Sequence, residues 1–179
     1  MKIKLLIFIL FINYNLINSN NYKGFGGSSI DIEVLYEILS LVKKNELVLE
    51  LGSGAGSAEL IKYFKLCSVE HDLKWLNKYH KNYIYAPILD GWYNCNILKN
   101  KLPKNYKLIL VDGPPGSIGR KGFLKNIELF DINVHIIFDD VNRIDELNLL
   151  KETSTYLQRP YYIKNTSGGK QFGVILRKD

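Results

Sequence analysis

The stretch that most constrains the fold is residues 47–57, which read Leu-Val-Leu-Glu-Leu-Gly-Ser-Gly-Ala-Gly-Ser. An apolar run there ends in three glycines at alternate positions, Gly52, Gly54 and Gly56, and a helix-like segment follows at 58–64. Glycines let a backbone turn tightly and come close to a ligand, and the N-terminus of a helix offers free amide groups. The order of strand, glycine turn and helix therefore predicts a parallel α/β sheet with a nucleotide pocket at its edge.

The rest of the chain alternates between strand-like and helix-like segments. Strands are predicted at 47–51, 66–70, 83–88, 106–111 and 134–138, and helices at 30–43, 58–65, 72–81, 122–130 and 143–157, the first capped by Ser29 or Asp31. Two last strands, 161–164 and 172–176, are joined by a turn too short for a crossover helix, so they must form an antiparallel hairpin. Together these segments predict an α/β sandwich with seven strands.

Composition narrows the class of protein. A length of 179 residues with 46% hydrophobic and 23% charged residues is typical of one globular domain. The net charge of +6 comes from lysines scattered in ones and twos, which favours a solvated surface over a nucleic-acid footprint. Cys67 and Cys95 form no CxxC pair and have no histidines at zinc spacing, which argues against a zinc site.

The N-terminus has the pattern of a secretory signal. A basic start, an apolar run at 5–12 and a polar exit suggest a signal peptide or N-terminal anchor at 1–19, with a run too short to span a bilayer. The alternative is an extra strand or helix packed on a cytoplasmic protein. Asn165-Thr-Ser167, a glycosylation acceptor motif, is compatible with secretion. We expect a Gly-rich connector at 20–29 and the catalytic domain at 30–179.

Glu70 ends the second predicted strand and helps to identify the ligand that the pocket binds. A carboxylate there can accept hydrogen bonds from both ribose hydroxyls of a nucleoside bound over the glycine turn, although it could also be a solvent-exposed strand end. Gly56-Ser57-Ala58 lacks the lysine of a phosphate-binding P-loop. Glu50, beside the turn, would repel a pyrophosphate but could orient a cationic amino-acid group.

Glu50-Leu-Gly-Ser-Gly-Ala-Gly56, the acid Glu70 and the terminal hairpin resemble the class I S-adenosylmethionine-dependent methyltransferases over about residues 30–178. The resemblance implies a Rossmann-like, mostly parallel seven-stranded sheet with a C-terminal antiparallel hairpin and helices on both faces. It also implies S-adenosyl-L-methionine as cofactor, with Glu70 on the ribose and Asp90 near the adenine. The cofactor-binding residues implied are Glu50, Gly52, Ser53, Gly54, Gly56, Glu70, His71 and Asp90.

Three carboxylates follow two later strands. Asp112 comes directly after the fourth predicted strand, and Asp139 and Asp140 follow the fifth. The carboxyl ends of adjacent parallel strands open into one crevice, where these groups would raise one another's pKa unless a cation lies between them. Hard oxygen ligands favour Mg²⁺, Mn²⁺ or Ca²⁺. Alternatively, Asp139 or Asp140 caps the next helix, and Asp112 contacts cofactor or substrate without a metal.

This Asp…Asp-Asp layout is similar to the metal site of catechol-type and macrolide-sugar O-methyltransferases. With Trp92-Tyr93-Asn94, Val111-Asp-Gly-Pro-Pro-Gly116, Arg120 and Arg143, the chain also resembles small glycan methyltransferases. The resemblance implies O-methylation of a sugar or glycan hydroxyl. Asp112, Arg120 and Asp139 would be catalytic, and Mg²⁺ or Mn²⁺ between Asp112, Asp139 and Asp140 would lower the acceptor's pKa.

Several alternatives remain open. The two arginines could contact the acceptor or form structural ion pairs. Trp92 and Tyr93 could stack on a sugar face or be core residues, and His135 could be a core residue. The acceptor could instead be a small catechol-like metabolite, a protein or an RNA. Asp112-Gly-Pro-Pro departs from the Asn/Asp-Pro-Pro-Tyr/Phe motif of amino-group nucleic-acid methylation. A non-catalytic partner subunit that binds S-adenosylmethionine is the rival outside the enzymes.

Overall fold

The computed structural model describes Phe25 and residues 29–178. The predicted signal segment 1–19 and most of the connector 20–29 lie outside the described residues, so the division of the chain at 29/30 stays a prediction. Among the helices of the described part, none is both long enough and apolar enough to cross a membrane.

Seven strands form one sheet in the order β3-β2-β1-β6-β7-β9-β8, and a separate β4–β5 hairpin lies outside it. The five strands from β3 to β7 in this order are parallel, while β9 is antiparallel to both β7 and β8. The predicted fold class, including the terminal antiparallel hairpin, is therefore confirmed. The strands are β1 Leu47–Leu51, β2 Lys65–Glu70, β3 Tyr83–Tyr85, β4 Ile88–Leu89, β5 Trp92–Tyr93, β6 Leu108–Val111, β7 His135–Phe138, β8 Tyr161–Asn165 and β9 Gln171–Ile175.

Helices cover both faces of the sheet. They are α1 Ile32–Leu41, α2 Ala55–Leu60, α3 Cys95–Lys101, α4 Gly122–Lys125 and α5 Ile144–Leu157, with 3-10 turns at Leu73–Trp75 and Ile127–Leu129. Residues of α1 and α2 share one buried cluster with Val48, and residues of α3, α4 and α5 share another with Leu49. Neighbouring positions of β1 thus face opposite layers, and each fully buried aliphatic side chain contributes about 1.5–3 kcal/mol.

The predicted helix at 72–81 is wrong, since only the 3-10 turn Leu73–Trp75 forms there. The Asp72 side chain accepts a hydrogen bond from the amide of Lys74, and Asn77 has a φ of 55°, in the left-handed region that ends a helix. The Asp72 hydrogen bond caps the start of the turn, and the left-handed conformation of Asn77 prevents the turn from continuing as a helix. Trp75 and Tyr79 stack on each other, with the Lys78 ammonium 3.9 Å from the Trp75 ring centroid.

The third predicted strand and the segment after it also differ from expectation. The strand ends at Tyr85 rather than 88, because Pro87 carries no amide hydrogen and a hairpin follows, with Asp90 and Gly91 at φ values of 52° and 76°. Helix α3, for which the sequence pattern had suggested no element, is capped by Asn94. Its Oδ1 accepts hydrogen bonds from the amides of Asn96 and Ile97 at 3.0 and 3.2 Å.

Two other helices are shorter than expected. Helix α2 spans Ala55–Leu60 rather than 58–65, so it begins within the glycine turn and ends five residues early. The predicted helix at 122–130 divides at Asn126 into α4 and a 3-10 turn. The side-chain amide of Asn126 donates a 2.9 Å hydrogen bond to the carbonyl of Gly122. This local bond satisfies a backbone carbonyl of α4 where the helix stops.

Candidate active site

The central strands all end at one edge of the sheet. Leu51 is paired with both Val69 and Val111, and Val111 with Phe138, so the residues that follow these positions lie close together. They border a cavity of about 430 Å³, within the usual range of about 300–1,000 Å³ for small-molecule sites. Its lining includes Ser29, Gly52, Ser53, Gly54, Ala55, Glu70, His71, Asp72, Lys74, Trp75, Tyr93, Asp112, Gly113, Pro115, Gly116, Arg120, Asp140 and Arg143.

The glycines of the turn have different surroundings. Gly52 has a φ of +88°, and a Cβ atom there would lie 2.9 Å from Gly113 Cα, so the turn after β1 and the loop after β6 approach each other closely. Gly54 lines the cavity and has open space where a Cβ would be. Gly56 is not among the lining residues; a Cβ there would lie 2.5 Å from Ile30 Cγ1. Its small size serves packing against the segment before α1.

Glu70, whose carboxylate is predicted to accept hydrogen bonds from ribose hydroxyls, is 3% exposed and lines the cavity. Its Oε2 accepts a 3.0 Å hydrogen bond from the amide of Ser53, and its Oε1 accepts bonds from the amides of His71 and Asp72 at 2.6 and 2.8 Å. The carboxylate is therefore oriented by the backbone of the glycine turn and of the β2 end. His71 Nδ1 lies 2.8 Å from Oε1, but without hydrogen-bond geometry.

Glu50 lies beneath the turn rather than on the cavity. It is 2% exposed, and its carboxyl group accepts hydrogen bonds from the hydroxyl of Ser57, at 2.9 Å, and from the hydroxyl of Ser68. Burial raises the pKa of Glu50 to about 8, although the two serine hydroxyls act to lower it. Ser57 Oγ in turn accepts a 3.1 Å hydrogen bond from the amide of Gly54. Glu50 thus stabilises the turn from below.

His80 extends this network toward the surface. Its Nε2 lies 2.9 Å from Ser68 Oγ, and its Nδ1 accepts a 3.2 Å hydrogen bond from the amide of Asn82, so Nε2 carries the proton and donates. Its ring stacks on that of Tyr83 at 4.1 Å, and burial lowers the pKa of His80 to about 4. His80 therefore lies outside any helix, although it falls within the segment 72–81 for which a helix was predicted.

Asp112, Asp139 and Asp140 come together as the sequence predicted, and one oxygen atom of each lies within 4.8 Å of the others. Arg120, only 4% exposed, lies among them: its Nη2 is 3.3 Å from Asp112 Oδ1 and 3.0 Å from Asp140 Oδ2. The same guanidinium donates to the backbone carbonyls of Asp112 and Asp139 at 2.8 and 2.9 Å. Arg120 therefore fixes the loops after β6 and β7 relative to each other.

Two further cations border the cluster. Arg143 Nη1 lies 3.0 Å from Asp140 Oδ2. Lys170, in the turn between β8 and β9, donates a 2.8 Å hydrogen bond to the carbonyl of Ser29, and its Nζ is 3.4 Å from Asp140 Oδ1 and 3.8 Å from Asp139 Oδ2. Burial acts to lower the pKa of Lys170, but Asp139 and Asp140 outweigh it and raise the pKa. Sequence reasoning missed this residue, since nothing in the local sequence of the turn relates it to the β7 end.

Burial dominates the electrostatics of the carboxylates. It raises the pKa of Asp112 well above the usual range; Asp139 raises it further and Arg120 opposes the rise. Burial and the Asp140 carboxylate raise the pKa of Asp139 to about 6. Asp139 is fully buried, and neither of its carboxylate oxygens has a hydrogen-bond partner among residues 29–178. A group in this state favours a bound proton or a nearby cation.

Asp90, predicted to lie near an adenine, is in the β4–β5 turn and lines a separate depression with Leu89, Trp92 and Asn94. Its proposed contact stays a prediction. Conversely, Trp75 and Tyr93 line the main cavity although sequence reasoning had not assigned them to the cofactor or catalytic site. The aromatic character of residues 92–93 was the available signal for Tyr93, while the expected helix at 72–81 obscured Trp75.

The mostly parallel sheet, with an antiparallel β9 between β7 and β8, is consistent with the Rossmann-like fold of solved methyltransferases. No protein-family model matches the sequence, and no curated protein does.

Solved methyltransferase structures are similar to the chain in fold. The METTL16 MTase domain matches with a TM-score of 0.55 at 13% identity, over 83% of this chain and 68% of that one. A putative caffeoyl-CoA O-methyltransferase from Staphylococcus aureus matches with 0.54 at 12% identity, over 93% and 98%. The MycE methyltransferase from the mycinamycin biosynthetic pathway, in complex with Mg and SAH, matches with 0.51 at 12% identity, over 82% and 45%. These likenesses establish the fold.

Proposed function

We propose that the protein is an S-adenosylmethionine-dependent methyltransferase that methylates a hydroxyl oxygen of a sugar or glycan. The observation that carries this proposal is the lining of one cavity by Glu70 and the glycine turn on one side and by Asp112 and Asp140 on the other. A methyl donor and an acceptor hydroxyl need adjoining sites of these two chemical kinds. The class I fold supports the same reaction class.

The lining of the cavity fits the cofactor. Glu70 offers oriented carboxylate oxygens suited to ribose hydroxyls, and Gly54 leaves open space beside them. We assign Glu70, His71 and the turn residues Gly52, Ser53 and Gly54 to its binding. Glu50 and Gly56, which do not line the cavity, would act indirectly by holding the turn in shape.

Bound S-adenosylmethionine supplies a methyl group on a positively charged sulfur. Transfer of that methyl group to the acceptor oxygen would require the acceptor hydroxyl to lose its proton. Asp112 takes up the hydroxyl proton at a side-chain oxygen, and burial, which raises the pKa of Asp112, makes this carboxylate a stronger base. We infer that Arg120 holds Asp112 in position, because its donors are already used by carboxylates and carbonyls of the two loops.

A divalent ion is a fitting addition to this site. Asp112, Asp139 and Asp140 would hold it, and the two Asp139 oxygens without hydrogen-bond partners in the described chain support this assignment. Mg²⁺ or Mn²⁺ there would lower the pKa of an acceptor hydroxyl. Magnesium is present in the MycE complex. Lys170 competes for the same carboxylates and already neutralises part of their charge.

An oxygen acceptor is favoured by the carboxylates, since a hydroxyl must lose its proton during transfer. A sugar is favoured by Arg143, which lines the cavity and whose side chain is 45% exposed beside Asp140. The sequence resemblance to glycan methyltransferases points to the same acceptor class.

The test is a calorimetric titration of S-adenosylhomocysteine into the full-length protein, followed by methyl-transfer assays on sugars, glycans, catechols, RNA and protein. Absence of binding would overturn the proposal. Binding without transfer to any acceptor would support the partner-subunit alternative, and transfer only to catechols, RNA or protein would correct the acceptor class.

A further inference from the structure

Tyr93 in β5 has a hydroxyl group that the fold leaves unpaired. The residue is 0% exposed and lines the main cavity, yet its hydroxyl has no hydrogen-bond partner among the residues that the structure describes. A buried hydroxyl without a partner costs stability, because water no longer satisfies it. Such a group in a cavity wall is consistent with a hydrogen bond that forms only when a ligand is bound.

The position of the hydroxyl is set by the surrounding residues. A Cβ atom on Gly113 would lie 2.5 Å from Tyr93 Oη, so the ring reaches the loop after β6 where Gly52 and Gly113 are in close approach. The rings of Trp92 and His71 lie at 5.0 and 6.3 Å from that of Tyr93, both near edge-on.

The electrostatic surroundings make this group a hydrogen-bond donor. Burial raises the pKa of Tyr93 well above its usual value, with Glu70 adding to the rise and the Arg120 guanidinium opposing it. The hydroxyl thus keeps its proton at any pH at which the protein is handled. Both named neighbours line the same cavity, one on the side assigned to the cofactor and the other beside Asp112.

We propose that Tyr93 is a cofactor-binding residue whose hydroxyl donates a hydrogen bond to an oxygen of bound S-adenosylmethionine, between the groups held by Glu70 and those over Gly52. This inference rests on the proposed function. It is compatible with the glycine at 113, where a Cβ atom would lie 2.5 Å from the Tyr93 hydroxyl and 2.7 Å from Gly52 Cα. It also assigns the β4–β5 hairpin, which lies outside the main sheet, to the construction of the cofactor site.

The test compares Tyr93→Phe with Tyr106→Phe in the full-length protein. Tyr106 is also buried, at 2% exposure, but its hydroxyl accepts a 2.5 Å hydrogen bond from the amide of Asp131. Thermal unfolding is measured without ligand, and the Kd of S-adenosylhomocysteine is measured by calorimetry. We expect Tyr93→Phe to unfold at an equal or higher temperature than wild type and to bind about fivefold to tenfold more weakly. Tyr106→Phe should show the opposite pattern, with a lower unfolding temperature and an unchanged Kd.

Other results overturn the inference in distinguishable ways. If Tyr93→Phe binds S-adenosylhomocysteine as tightly as wild type, the hydroxyl does not contact the cofactor, and a raised KM for the methyl acceptor alone would assign it to that substrate instead. A loss of thermal stability like that of Tyr106→Phe would reveal a structural partner. If the wild-type protein itself binds no S-adenosylhomocysteine, the proposed function fails, and this inference fails with it.

Discussion

The amide of Ser53 donates a 3.0 Å hydrogen bond to Oε2 of Glu70, which ties the glycine turn after β1 to the acidic end of β2. The bond connects two segments that must be positioned together for a nucleoside to bind across them. It also leaves the Glu70 carboxylate oriented on the cavity wall before any ligand arrives.

Replacement of Glu70 by Gln should weaken S-adenosylhomocysteine binding by at least about tenfold, since hydrogen bonds to a charged acceptor contribute about 1.5–3 kcal/mol. The side-chain NH₂ group of Gln would also face backbone amides that are themselves donors, those of Ser53, His71 and Asp72. Calorimetry measures the effect. Glu59→Gln is the control, because Glu59 pairs with Lys62 on the surface of α2, and it should leave the Kd unchanged. Equal affinities for Glu70→Gln and wild type would exclude a ribose contact.

Replacement of Asp112 by Asn should lower kcat by about 10²–10⁴, the usual contribution of a general base, while cofactor affinity changes little. Steady-state methyl-transfer kinetics on the identified acceptor provide the measurement. Asp145→Asn is the matched control, because Asp145 pairs with Lys121 and its side chain is 65% exposed. Full transfer activity in Asp112→Asn would remove the assigned role of this carboxylate.

Stability should depend on pH through Asp139. Its pKa is raised to about 6 in the folded protein, against about 3.9 in an unfolded chain. The native state therefore binds more protons between these values, and stability falls as pH rises from about 4 to 6. Asp139→Asn cannot ionise, so without metal it should be more stable than wild type at pH 7 by about 1–3 kcal/mol and close to wild type near pH 4.

Denaturant unfolding in the presence of a chelator, at several pH values, measures this difference. Asp131→Asn changes an exposed carboxyl group and serves as the control. The assignment would be contradicted by the same pH dependence in wild type and Asp139→Asn.

Lys170 should weaken the binding of a divalent ion, because its ammonium lies 3.4 Å from Asp140 Oδ1 and 3.8 Å from Asp139 Oδ2. Lys170→Met removes that charge and should increase Mn²⁺ affinity by about tenfold or more. Titration of the metal-free protein with Mn²⁺, followed by electron paramagnetic resonance, gives the affinity without any assay of activity.

The controls for the metal test separate a general charge effect from a local one. Lys164→Met removes a lysine that pairs with Glu37 and should not alter Mn²⁺ binding. Asp139→Asn should weaken Mn²⁺ binding both in the wild-type protein and in Lys170→Met. If neither Lys170→Met nor Asp139→Asn changes the Mn²⁺ affinity, the cluster is not a metal site.

Much of the site could be predicted because its chemistry lies at strand ends. Glu70, Asp112 and Asp139 each follow an apolar run, and in a parallel sheet such positions converge at one edge. The segments predicted wrongly lie between the strands, where short-range hydrogen bonds and backbone conformations decide the local structure. The left-handed Asn77 ended one expected helix after a single turn, and the side chain of Asn94, which accepts hydrogen bonds from two nearby amides, began an unexpected one.

Local sequence was enough to predict the strand and glycine turn at 47–56 and the acidic residues at the sheet edge, because burial periodicity and glycine conformations are local properties. Which groups meet across the chain depended on the tertiary fold. It brought Lys170 to Asp139, directed Glu50 to Ser68 beneath the turn, and left the Tyr93 hydroxyl without a partner in the described residues. These contacts depend on strand order and on the path of each loop, and no local pattern encodes either.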